Sequence, residues 1–227
     1  GCFAMLNTGA KRVPSTKRIL TTPAYRIGGE TKFALEGSIF MAGATMQWLR
    51  DGARMLKNTS DSQAMAEQAN CDARVYLVPA FTGLGAPWWD ADARGAIMGL
   101  TRDTGVAEIV RAGLEAVGFQ TRDLLQAMAA DMHKAGATMP QMLRVDGGMA
   151  ANDWAMQFLA DMTGLPVERS AILETTALGV AILAGVRAGL YPSHAAMAAN
   201  WRLIASGSKR PERVVGMHFF NPAPLMP

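Results

Sequence analysis

From residue 106 to residue 128, Val106, Val110, Leu114, Val117, Thr121, Leu124, Leu125 and Met128 follow a spacing of three and four. This spacing predicts an amphipathic helix of more than six turns. Asp103 or Thr104 is its expected cap, and Glu108 sits in the first turn, where an acidic group meets the helix dipole favourably. Short apolar runs flank this helix. Residues 1–8, 18–27 and 31–35 read as strands, and Gly28-Gly29 supplies a tight turn between the last two. Residues 36–57 switch to a helical period, with Ile39, Met46, Leu49 and Leu56 on one face. Residues 61–69 form a short helix capped by Ser60, and residues 75–78 an apolar strand suited to a buried parallel position. Residues 96–100 and 141–145 are further strands. Helices follow over 151–162 and from Glu174 to the stop signals near Gly189. The last helix carries Ala177, Gly179, Ala181, Ala184, Gly185 and Ala188, a face small enough for another backbone to approach. Strands alternating with helices predict an α/β layer architecture. Residues 202–227 show no helical period.

Composition narrows the class. Of 227 residues, 50% are apolar, too many for a disordered chain. The 22 Lys and Arg exceed the 19 Asp and Glu by only three, so the pI of about 9.1 is not the footprint of a nucleic-acid binder. Two of those three charges fall in residues 204–227, where Lys209, Arg210 and Arg213 face only Glu212. Cys2 and Cys71 make no disulfide framework, and His133, His194 and His218 form no ligand pair, so a reducing, cytosolic setting is expected. His133 falls near a helix end, as a partner of the dipole. The uncharged stretches are too short and too broken by Gly and Pro to span a membrane. The chain opens Gly1-Cys2-Phe3 with no signal-peptide pattern, and reads as a polypeptide entered in mid-strand.

Three places carry site-like chemistry. The run Leu143-Arg144-Val145-Asp146-Gly147-Gly148 enters a glycine turn and then a helix bearing Asn152 in its first turn. That is how α/β proteins present backbone N–H groups to a phosphate, although many such turns have no ligand. Asp146 reads as a brace of the turn rather than a base. Gly43 and Gln47 lie one helical turn apart; a helical Gly costs roughly 1 kcal/mol relative to Ala, which marks either a ligand or close helix packing. The loop from Phe81 to Asp90, with Trp88 and Trp89, is equally readable as a functional loop or as an anchored connection.

Taken together, Gly1-Cys2-Phe3, Ala34-Leu35-Glu36-Gly37-Ser38 leading to Gly43 and Gln47-Trp48-Leu49-Arg50-Asp51, Val78-Pro79-Ala80-Phe81-Thr82-Gly83-Leu84-Gly85-Ala86-Pro87-Trp88-Trp89-Asp90, Arg94-Gly95-Ala96, Asp146-Gly147-Gly148 and Thr176-Ala177-Leu178-Gly179 resemble the FGGY family of carbohydrate kinases. Within it they are most similar to the members that phosphorylate glycerol. Gly113 departs slightly from the family signature. The resemblance covers residues 1–203 and implies the C-terminal, nucleotide-binding domain of the ribonuclease-H-like, actin-like ATPase superfamily, a mixed sheet flanked by helices. It implies that Gly43, Gln47, Gly148 and Asn152 contact ATP or ADP and that Phe3 lines the glycerol pocket. The implied reaction transfers a phosphoryl group from ATP, with Mg2+, to the 3-hydroxyl of glycerol. The family's catalytic Asp and a phosphate-contacting Thr would precede residue 1, so no catalytic base is assigned here. A separate N-terminal domain is the implied partner, and the full-length family members are expected to be homo-oligomers. The chain by itself is expected to be inactive. Residues 204–227, which include Met217-His218-Phe219-Phe220-Asn221-Pro222, are instead similar to a short stretch of 3-hydroxyacyl-CoA dehydrogenases, with His218 matching that family's base. Without a dinucleotide loop or partner Glu, this tail reads as a fusion and His218 as an exposed histidine. The competing readings are a non-catalytic fragment and a dehydrogenase remnant.

Overall fold

The computed structural model describes residues 1–170, 174–190 and 215–219. Its main element is a six-stranded mixed sheet in the order β2-β3-β1-β8-β6-β7. Strands β1 (Cys2–Gly9), β2 (Leu20–Ile27) and β3 (Glu30–Ile39) form an antiparallel meander. Gly28 and Gly29, with φ of 60° and 86°, make the tight turn between β2 and β3 that the sequence predicts. Strand β6 (Leu143–Gly147) runs parallel to β7 (Val167–Arg169) and to β8 (Val215–Phe219). Alternation sets which side faces the core. Cys2, Ala4 and Leu6 on β1 are buried and pair with Ile39, Gly37 and Leu35 on β3. Cys2 is wholly buried, which pushes its thiol up to about 12; Cys71 is exposed, and both are free thiols.

The long helix is α3 (Val106–Lys134). It is capped one residue later than expected, by Gly105, because Thr104 turns its hydroxyl back to accept the Thr101 amide at 2.9 Å. The Glu108 carboxylate closes the end by accepting the Gly105 amide at 2.8 Å and the Asn70 amide at 3.0 Å, and these backbone N–H groups hold its pKa below the usual carboxylate range. Around α3 pack α1 (Gly43–Asp51), α2 (Ser62–Gln68) and α4 (Asp153–Thr163). Trp154 and Phe158 of α4 stack with centroids 5.6 Å apart, and Arg111 of α3 sits 5.6 Å over the Trp154 ring.

Several elements differ from the sequence expectation. Residues 36–39 are strand, because β3 lies between β1 and β2 and both ladders extend over Glu36. Helix α1 therefore starts only at Gly43, although Ile39, Met46, Leu49 and Leu56 are all buried in one core as the pattern implies. Strand β4 (Tyr76–Val78) is antiparallel, paired with β5 (Ala96–Met98) in a separate two-stranded sheet. A 3-10 turn, Thr59–Asp61, capped by Asn58, precedes α2, so Ser60 lies inside that turn and Asp61 takes the cap position of α2. Helix α5 (Thr175–Arg187) is present; among the described residues nothing lies within 4 Å of a Cβ placed on Gly179, and Gly185 is its buried residue. Residues 191–214 and 220–227, with His194, lie outside the described residues, while His218 falls within β8. Among the described residues, no helix is long and apolar enough to cross a membrane.

The loop between β1 and β2 is tied to α3 by one buried acid. Asp131 is 1% exposed and accepts hydrogen bonds from the Ser15 hydroxyl, the Thr16 amide at 2.8 Å and the Thr16 hydroxyl at 3.0 Å. Burial pushes its carboxyl up, but these donors outweigh burial and hold it below the usual range. A depressed pKa contributes stability above the unfolded carboxylate pKa, and that contribution is lost as pH falls through the folded value. Asp131→Asn is expected to cost about 1–3 kcal/mol at pH 7. The difference from wild type should shrink below about pH 4, as read by urea melts across pH.

Candidate functional site

Three helix starts converge on one cavity of about 280 Å3, close to the lower end of small-molecule sites. Gly43 and Gln47 come from α1, Ser60 and Gln63 from the turn into α2, and Gly148 and Asn152 from the turn into α4. Met46 and Leu114 form its apolar floor. Among the described residues every lining residue is uncharged; the polar ones are amides and hydroxyls.

Local chemistry explains the shape. Gly147 ends β6 at φ 81° and ψ 174°, a conformation essentially restricted to glycine. A 3-10 turn, Gly148–Ala151, then leads to Asn152. Asn152 is the cap of α4 rather than a residue inside it: its side-chain oxygen accepts the Ala155 amide at 2.9 Å. Its amide nitrogen donates to the Ser62 hydroxyl at 3.2 Å, and the Gln63 side-chain oxygen accepts the Asp153 amide at 3.0 Å. These bonds lock the α2 and α4 starts together. Arg169 of β7 holds the far side, donating to Asp153 at 2.6 Å and to the Ala150 carbonyl at 3.0 Å. Helix α1 begins at Gly43 with no side chain capping its first turn. A Cβ on Gly43 would meet nothing within 4 Å, so close helix packing does not account for this glycine; the cavity lies there instead.

Four of the five residues named from the sequence, Gly43, Gln47, Gly148 and Asn152, thus line one cavity. Phe3 does not. It lies on β1 in register with Ser38 and His218, 36% exposed. Asp146 stays on β6 and is not among the described lining residues. The Phe81–Asp90 loop is an anchored connection: Phe81 packs on Trp48 at 4.4 Å, and Trp89 donates its indole N–H to the Arg18 carbonyl at 2.6 Å. Sequence reasoning missed Ser60 and Gln63 as lining residues. Their only signal was a cluster of polar residues at a helix start, which reads equally well as capping.

Residues 1–188 match the family described as the FGGY family of carbohydrate kinases, C-terminal domain. The chain belongs to this family. The FGGY chain is 60% identical over 203 residues to a glycerol kinase of Roseobacter denitrificans, an alignment covering 89% of this chain and 41% of that protein. It is 62% identical over 201 residues to a glycerol kinase of Rhizobium rhizogenes, covering 88% and 40%. It therefore spans about two fifths of the length of these relatives. Among solved structures, it superimposes on Plasmodium falciparum glycerol kinase with ADP at a TM-score of 0.74 and 39% identity, covering 84% of this chain and 37% of that one. A ligand-bound xylulose kinase of Lactobacillus acidophilus matches at 0.68 and 23% identity, over 85% and 38%, which shows the fold. The FGGY chain thus has the actin-like ATPase fold, α/β with a mixed sheet flanked by helices. Residues 191–227 match the 3-hydroxyacyl-CoA dehydrogenase NAD binding domain instead.

Glycine substitutions separate packing from cavity in the FGGY chain. Gly43→Ala is expected to leave stability unchanged or raise it by up to about 1 kcal/mol, since Ala favours the helix and meets no neighbour. Gly85→Ala presses its Cβ into the Ser38 carbonyl oxygen, a backbone atom, and should cost about 2 kcal/mol or more. Thermal melts of the two variants check the contrast.

Proposed function

We propose that this chain is the nucleotide-holding part of an ATP-dependent glycerol kinase, in which a phosphoryl group passes from ATP to the 3-hydroxyl of glycerol. The observation that carries the reading is the uncharged cavity uniting Gly43, Gln47, Gly148 and Asn152. Lined by amides and hydroxyls over an apolar floor, it suits an uncharged ring and sugar, not a cluster of negative charges. Adenosine is such a group. Gln47, Ser60 and Gln63 offer donors and acceptors to its edges, and the missing side chain at Gly43 leaves room for it. The phosphates would extend toward the Gly147-Gly148 turn, where the 3-10 turn Gly148–Ala151 offers backbone N–H groups. Relatives named glycerol kinase at about 60% identity, and a solved glycerol kinase with ADP, support the same ligand and substrate.

Among the described residues no group of three or more His, Cys, Asp or Glu could hold a metal ion. Mg2+ is therefore proposed to travel on the nucleotide's phosphates, where it needs only one or two protein carboxylates. Among the described residues no cavity-lining residue is a carboxylate, and none is assigned as the base. Phe3, from the family resemblance, is proposed to face glycerol rather than nucleotide. Turnover of glycerol is proposed to need the part of the relatives' length that this chain does not span, in a cytoplasmic, self-associating enzyme. The dehydrogenase-like match is confined to residues 191–227 and does not favour hydride chemistry.

Calorimetric titration of residues 1–227 with ADP tests the proposal. Binding with a Kd of about 1 mM or tighter is expected. Gln47→Ala should weaken it roughly tenfold, the loss of about one hydrogen bond, with the melting temperature unchanged. No heat at millimolar ADP, from a protein shown to be folded, would sink the reading.

A further inference from the structure

Ser62, the first residue of α2, lines the cavity but is only 2% exposed. Its hydroxyl is engaged within the protein. It donates to the Thr59 carbonyl at 2.7 Å and accepts the Asn152 side-chain N–H at 3.2 Å. The directions of these bonds are forced. The Ala155 backbone N–H can only donate, so Asn152 must turn its side-chain oxygen toward Ala155, at 2.9 Å. Its side-chain nitrogen then faces Ser62. The Thr59 carbonyl can only accept, so it takes the Ser62 proton and leaves the Ser62 oxygen to accept from Asn152. The chain from the Asn152 N–H through the Ser62 hydroxyl to the Thr59 carbonyl therefore runs one way, and bonds aligned in this manner strengthen one another.

We propose that Ser62 is a positioning residue for the nucleotide: through this chain it fixes the orientation of the Asn152 amide, and so decides which atoms Asn152 presents to a ligand. The inference rests on the reading of the cavity as a nucleotide site. A side-chain amide has two hydrogens on nitrogen and two lone pairs on oxygen. Ser62 takes one hydrogen and Ala155 one lone pair, which leaves one N–H and one lone pair for a ligand. Asn152 is half-buried and lines the cavity, so a ligand there can reach them. Without the Ser62 hydroxyl, the bond to Ala155 still holds the amide oxygen, but a single bond lets the amide plane swing about it. Gln63, which accepts the Asp153 amide at 3.0 Å, joins the same two helix starts separately. Loss of the Ser62 hydroxyl therefore leaves the cavity walls joined and removes the orientation of Asn152.

Chemical-shift titration of the chain with ADP, following the Asn152 side-chain N–H pair, tests the proposal. In the unaltered chain one of the two protons is expected to exchange with water at least about tenfold more slowly than in an exposed asparagine, and the pair is expected to shift as ADP saturates. Exchange of both protons at the exposed rate, or a pair that does not move while ADP binds, would overturn the proposal. In a second arm, Ser62→Ala should weaken ADP binding roughly fivefold, the worth of about one hydrogen bond. In an Asn152→Ser background, where serine still caps α4 but carries no amide, the same substitution should change the Kd by less than about twofold. A merely structural Ser62 would cost the same factor in both backgrounds. That result, or an unchanged Kd for folded Ser62→Ala, also overturns the proposal. Where a variant does not fold, the Asn152 signals of the unaltered chain decide. Absence of ADP binding by the folded, unaltered chain is a different outcome: it removes the nucleotide reading itself, and this inference with it.

Discussion

Leu124 of α3 lies fully buried against Gly37 of β3, so close that any side chain on Gly37 would overlap the leucine methyls. That contact sets how near the long helix can sit to the sheet. Everything else is placed relative to it. Leu114, Val117 and Met128 continue the buried stripe along α3, and Cys2, Ala4, Leu6 and Leu35 supply the sheet side of the same core. Fully burying a residue of this size contributes roughly 2 kcal/mol, so a stripe of this length outweighs any single hydrogen bond in the domain. Asp131, one turn from the end of the helix, fastens the β1–β2 loop to that stripe by hydrogen bonding rather than by packing.

The cavity is a consequence of what remains on the other side of α3. Gly113 and Gly118 thin the helix where α1 and α4 approach: a Cβ at Gly113 would stand 2.7 Å from Met46, and one at Gly118 would stand 2.7 Å from the Phe158 ring. With α1 and α4 drawn in this closely, their starts and that of α2 meet around Leu114. The Asn152–Ser62 and Asp153–Gln63 bonds then fix two of these turns to each other. The Gly147 turn that begins α4 hangs from β6, and β6 is joined to the rest of the sheet through β8. The cavity and the central strand β8 come from stretches of sequence matching two different families.

How much was legible in the sequence depended on whether a pattern was local. The Gly28-Gly29 turn and the period of α3 are decided by neighbours within a few residues, and both are present as read. Residues 36–39 were not legible as strand, because their helical-looking spacing was overridden by pairing with residues 2–5 of β1, more than 30 positions earlier. The antiparallel pairing of β4 with β5 was missed for the same reason, since an apolar triplet does not say which partner it has. Gly43 was the ambiguous case. The residue alone is compatible with packing or with a ligand, and only the empty space over its α-carbon separates the two.

The sequence by itself determined the α/β class, the long helix and, through family resemblance, the four residues that line the cavity. These follow from periodicity and from motifs that keep their order along the chain. Tertiary structure alone decided that Ser60 and Gln63 join those four, that Phe3 stands apart from them, and that Val215–Phe219 is a central strand. The reason is that strand pairing and cavity lining are set by residues distant in sequence. Five residues become a central strand only when a strand stands on either side to pair with them.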